Sequence, residues 1–230
     1  MTEELVKPVS ASSFVSRYLC TREELIADGI VHAVGLVLAA AASSVLLAYA
    51  GFHAAGHEYL ATIFYVASLL TALSLSCAYN MLPLSRAKRV LRRFDHAAIY
   101  LLIAGTYTAF LSQIADRSLA RTMLLAVWSA AGFGMALKLF LPGRFDKLAV
   151  GFYLALGWCG LAIIPNLAAS LPETALWMIL AGGIVYSAGV IFYLRPQIRF
   201  STALWHAFVL MGVVLHLGAI MDSLVIARLS

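Results

Sequence analysis

The residues able to do chemistry are few, and they sit in short polar interruptions of an apolar sequence. Asp28 and His32 are four apart, as are Ser76 and Asn80, and Thr202 and His206. Side chains four apart share one face of a helix, so three helices could each present a polar pair to a common centre. Asp95 and His96 adjoin one another, and His216 follows His206 by ten residues, about 15 Å along a helix. Carboxylate and imidazole groups are oxygen and nitrogen donors that suit a divalent cation or a bound water. Hydroxyl and carboxamide groups suit hydrogen bonds to a headgroup. The plainer expectation is a metal-free polar network, in which Asp28 or Asp95 pairs with a histidine near the membrane interface.

The elements that carry these residues are membrane spans. Of 230 residues, 63% are apolar and 12% charged, against about 45–50% and about 25% in soluble domains. A span needs ~20 mostly apolar residues to cross a hydrocarbon core ~30 Å thick. Continuous apolar stretches broken by charge, Pro and Gly predict helices over 27–50, 59–84, 95–115, 119–141, 147–170, 173–194 and 203–226. The fold class is therefore an all-α bundle of seven transmembrane helices, residues 25–230, behind a polar segment, 1–24. That segment lacks the apolar core of a cleaved signal peptide. Pro165 should kink the fifth helix. Cys20, Cys77 and Cys159 form no Cys-x-x-Cys pair and read as small apolar fillers.

Basic residues are retained on the cytoplasmic side during insertion. Thirteen of the sixteen Lys and Arg fall on one side of the expected spans, chiefly Arg86, Lys88, Arg89, Arg92 and Arg93. Arg117, Arg121 and Arg228 fall on the other. The amino terminus is thus expected in the cytoplasm and the carboxyl terminus outside, opposite to a G-protein-coupled receptor. The polar pairs then lie near the cytoplasmic face, with Asp95 and His96 opening the third helix. The seventh helix has no lysine for a retinal Schiff base, which excludes a microbial rhodopsin. In so apolar a chain the net charge of +5 points to an anionic membrane surface, not nucleic acid. His53 and His57 are expected in a solvated outer loop.

The segment Asp95-His96-Ala97-Ala98-Ile99-Tyr100-Leu101-Leu102-Ile103-Ala104-Gly105-Thr106-Tyr107-Thr108 resembles the third-helix signature of bacterial hemolysin III proteins. Glu23-Glu24 with His32 and Gly35, Ser76 and Tyr79 with Leu82-Pro83, and Trp205 to Gly212 with His216 extend the resemblance over residues 22 to 226. That family is grouped with the progestin and adipoQ receptors. The resemblance implies seven helices, a cytoplasmic amino terminus and an intramembrane zinc held by three histidines, one on the second helix and two on the seventh. It also implies an aspartate that holds the metal-bound water.

Placed on that pattern, the chain keeps Ser76, Asp95 and His206. It carries Asn80 and Thr202 at the other two histidine positions, Asp28 where an asparagine is usual and Val31 where a threonine is favoured. Asn and Thr are poor zinc donors. No cofactor is expected, and zinc only with a rearranged ligand set drawn from Asp28, His32, Asp95, His96 and His206.

Two functions compete. One is a non-enzymatic inner-membrane protein of a bacterium acting in membrane lipid or membrane-energetics homeostasis, with Asp28, His32, Asn80, His96, Thr202 and His216 toward a lipid or fatty acid. The other, implied by the wider family, is a zinc-dependent intramembrane lipid-amide hydrolase with Asp95 orienting water and Ser76 facing the oxyanion. A pore-forming cytolysin is a third, weakened because the outer two thirds of the helices carry few polar residues.

Overall fold

The computed structural model describes residues 21–141 and 146–229. Lys7, Arg17, Cys20, Arg144 and the first twenty residues of the amino-terminal segment lie outside them. Among the described residues every regular element is helical. Seven helices are long and apolar enough to cross a membrane: α1 (Arg22–His53), α2 (Gly56–Met81), α3 (Arg86–Leu111), α4 (Arg117–Phe140), α5 (Leu148–Ser170), α6 (Glu173–Leu194) and α7 (Ser201–Leu229). The chain is a multi-pass integral membrane protein. Large apolar side chains such as Val37, Phe52, Leu125 and Phe140 face outward, where a soluble protein would place polar ones.

Local sequence sets where the helices begin. Thr21 and Glu24 cap α1 reciprocally, Thr21 Oγ1 accepting from Glu24 N at 3.2 Å and Glu24 Oε2 from Thr21 N at 2.9 Å. Asp116 Oδ1 accepts from Ser118 N and Leu119 N, each at 3.0 Å, to start α4.

One expectation about α3 is corrected. Residues 86–94 were expected in a loop, with Asp95 and His96 opening the helix. Instead Pro83 follows the end of α2, and Ser85 caps a new helix by accepting from Lys88 N at 3.1 Å. Asp95 and His96 therefore stand about nine residues, or roughly 14 Å, inside α3. The five basic residues decorate its first turns. Their charge suppressed the apolar signal that marks a span, although nothing in the sequence breaks the helix.

Pro165 acts as expected. α5 runs as α-helix to Trp158, tightens to a 3₁₀ turn over Cys159–Ile163 and resumes at Ile164. The break leaves backbone groups to satisfy, and Tyr107 of α3 supplies them. Its hydroxyl accepts from Gly160 N at 2.7 Å and donates to Gly157 O at 2.8 Å.

The inner stripe of α1 consists of Asp28, His32, Gly35, Ala39, Ser43, Leu46 and Ala50, all buried and spaced by three or four residues. The polar pair thus continues the line on which small residues let α1 pack into the bundle. The half of the bundle away from the basic residues is filled by Leu46, Tyr65, Leu69, Phe110, Leu217 and Ile220.

Candidate functional site

Two contacts lock α1 against α7 at the end rich in basic residues. Glu23 pairs with Arg199, and Glu24 Oε1 accepts from Phe200 N at 3.0 Å. Phe200 stands just before α7 with φ at 61°, a left-handed conformation uncommon in an aromatic residue. Glu24 thus caps its own helix with one oxygen and anchors the start of α7 with the other.

One turn deeper, that anchorage sets Asp28 against His206. Asp28 Oδ1 lies 2.6 Å from His206 Nδ1, a short charge-assisted contact across the helix pair. The other carboxylate oxygen faces His32 Nε2 at 3.7 Å, beyond hydrogen-bond distance, and the His32 and His206 rings pack with centroids 4.3 Å apart. Asp28 and His32 are 4% and 6% exposed, and His32 Nε2 has no hydrogen-bond partner among the described residues.

The second and third helices close the other side. Ser76 Oγ reaches His206 Nε2 at 3.5 Å, and Asp95 faces Ser76, His206 and Arg92. Asn80 Nδ2 is turned back on its own helix, donating to Ser76 O at 2.9 Å and approaching Ser76 Oγ at 3.4 Å. His96 lies 3.9 Å from Asp95 and edge-on to Tyr79, while Tyr153 of α5 donates to its carbonyl at 3.1 Å. Lys88 donates to Leu82 O at 2.8 Å and Asn80 O at 3.3 Å, so it caps the end of α2.

These groups line one end of a cavity of about 560 Å³. Thr202 lines that end too, and the cavity runs between Trp158, Tyr186, Val209 and Leu210 to His216. His216 belongs to the same cavity without joining the polar cluster. Its Nε2 sits 3.2 Å from Ile179 O, and Tyr186 packs edge-on against the ring. At Gly182 a Cβ would fall 2.5 Å from His216 Cδ2, so only glycine lets α6 approach α7 there. His53 and His57 end α1 and begin α2 instead of lying in a loop, and His57 Nε2 approaches Ser112 O at 3.2 Å.

Residues 21–217 match the family described as haemolysin-III related. The chain belongs to that family. The hemolysin-3 homolog of Bacillus subtilis (strain 168) is 39% identical over 193 residues, 84% of this chain and 90% of that protein. Hemolysin-3 of Bacillus cereus is 35% identical over 190 residues, 83% and 87% of the two chains. The human monocyte to macrophage differentiation factor is 28% identical over 129 residues, 55% and 52%. No solved structure matches the chain significantly.

The zinc site implied by the family resemblance does not fit this member. Of its three histidine positions only His206 offers a nitrogen donor, and the Asn80 amide is already spent on Ser76.

The structure brings Asp28, His32, Ser76, Asp95 and His206 together, and sequence reasoning missed the groups that position them. The Glu24 to Phe200 bond joins residues 176 apart through a backbone N–H, which leaves no trace in side-chain type. The Tyr107 bonds were half legible, since a proline-broken span must find donors and acceptors elsewhere.

Proposed function

We propose that this family member is a non-enzymatic protein of a bacterial inner membrane that holds an acyl lipid within its bundle and serves membrane lipid homeostasis. The cavity carries that proposal. Its volume of about 560 Å³ falls within the ~300–1,000 Å³ of small-molecule sites, with mostly apolar walls and polar groups gathered at one end. An amphiphile fits such a shape, its tail toward Trp158 and Tyr186 and its head among Asp28, His96, Arg92 and Thr202. The thirteen basic residues on that side support a cytoplasmic orientation.

Deleting the gene and restoring it on a plasmid, with acyl-chain composition and fluidity measured under cold and fatty-acid stress, tests the role. A shift in composition restored by the native chain, and not by a chain with Leu210→Trp in the cavity, is the expected result. Unchanged membranes under both stresses would count against it.

A second reading, a lipid-amide hydrolase, draws on the meeting of Ser76, Asp95 and His206. Release of fatty acid from ceramides or other lipid amides by the purified protein would favour it over the first. A pore is opposed by the packed apolar half of the bundle around Leu69, Phe110 and Ile220.

A further inference from the structure

We infer that Asp28, His32 and His206 form a divalent-cation site built on α1 and α7, distinct in its ligands from the three-histidine set that the family resemblance implies. One donor atom from each lies within 4.8 Å of the others. Tetrahedral zinc with bonds of about 2.0–2.1 Å places its donors roughly 3.3 Å apart, so side-chain adjustments without backbone movement bring the three to an ion.

Three features point to a ligand. Asp28 and His32 occupy the inner stripe of α1, so both donors aim at α7 and not at lipid. His32 Nε2 is buried and lacks a hydrogen-bond partner among the described residues while facing Asp28 and the His206 ring, an arrangement that costs free energy unless something accepts its lone pair or its proton. Finally, His206 Nε2 points to Ser76 while Nδ1 faces Asp28. A histidine that ligates through one nitrogen is oriented by a hydrogen bond at the other, and Ser76 supplies that partner here.

The chemistry of the set favours zinc. Two imidazoles and one carboxylate neutralise half the ion's charge, and the cavity leaves a fourth position for water or a lipid oxygen. The same donors also suit ferrous iron, so the metal itself is an outcome of the test. In place of the donors absent at position 80 on α2 and position 202 on α7, α1 offers Asp28, where the family favours a neutral residue, and His32.

The test uses full-length protein purified without chelators in nanodiscs. Elemental analysis after dialysis against zinc, iron or cobalt, each alone, should give close to one equivalent of metal per chain. Asp28→Asn and His32→Ala should each weaken zinc binding by at least ~100-fold, Ser76→Ala by roughly 10–100-fold, and His96→Ala and Asn80→Ala not at all. Should the α1 variants fail to fold, the visible spectrum of the cobalt-loaded native protein serves instead: intense d–d bands of a four-coordinate nitrogen and oxygen site are expected. Metal below a tenth of an equivalent in every dialysis, a cobalt spectrum of the hexaaqua ion, or full binding by Asp28→Asn overturns the inference. Acyl-lipid retention is read separately by mass spectrometry on the same samples, so the metal and the lipid can fail independently.

Discussion

His206 Nδ1 and Asp28 Oδ1 meet at 2.6 Å across 178 residues of sequence, joining the last span to the first. The contact closes the bundle at its basic end, where Glu24 and Phe200 have already brought the two helices together. A double-mutant cycle of Asp28→Asn and His206→Gln should show a coupling of about 1–3 kcal/mol, because the two side chains share one contact in a site of low dielectric. Unfolding in mixed micelles reads it; additive losses would mean that the pair contributes through separate neighbours.

At the opposite end, Arg228 reaches back to α2. Its two terminal nitrogens each lie 2.8 Å from a Glu58 oxygen, and Nη1 also donates to His53 O at 3.2 Å. Arg228 is about a third exposed, so screening reduces the pair below the 3–5 kcal/mol of a fully buried one. Arg228→Ala should cost about 1–2 kcal/mol and loosen the last turn of α7. Faster amide exchange confined to residues 222–229 is the expected signature, and unchanged exchange there would refute it.

Two glycines separate close packing from open space. A Cβ at Gly105 would fall 2.0 Å from Ser68 Oγ and 2.8 Å from Ser68 Cβ, whereas at Gly132 none of the described residues comes within 4 Å. Gly105→Ala should therefore destabilise by about 1–3 kcal/mol through overpacking of α2 against α3, and Gly132→Ala should be neutral or slightly stabilising. Thermal unfolding of both variants decides it, and equal effects would show that the helix pair yields.

The break in α5 depends on one hydroxyl. Tyr107→Phe removes the acceptor for Gly160 N and the donor to Gly157 O, leaving both without their side-chain partner. A loss of about 1–3 kcal/mol and faster amide exchange over 157–163 are expected. Native exchange rates in that turn would mean that the two groups find other partners.

The spans were legible because each requirement is local: enough apolar residues to cross the core, then a charge, glycine or proline. The first nine residues of α3 were not, since a capped, basic helix carries no apolar signal and only the bond from Lys88 N to Ser85 reveals it. The polar pairs could be grouped from i to i+4 spacing, yet sequence treated Asp28, His32, Asp95, His96 and His206 as one set. The structure divides that set: Asp28, His32 and His206 lie within 4.8 Å of one another and Asp95 faces His206, while the His96 ring sits edge-on to Tyr79. The inward aim of Asp28 and His32 depends on the rotation of α1 about its axis, which follows the line of its buried small residues.

An acyl chain held in the cavity between the polar cluster and His216 can be caught in place. A fatty acid bearing a photoreactive diazirine near its methyl end is added to the protein in nanodiscs and illuminated. Adducts are expected on Trp158, Tyr186 or Val209, abolished by excess unlabelled fatty acid and by Leu210→Trp. Adducts confined to outward-facing residues such as Phe64, Phe133 and Trp177, unaffected by competitor, would contradict it.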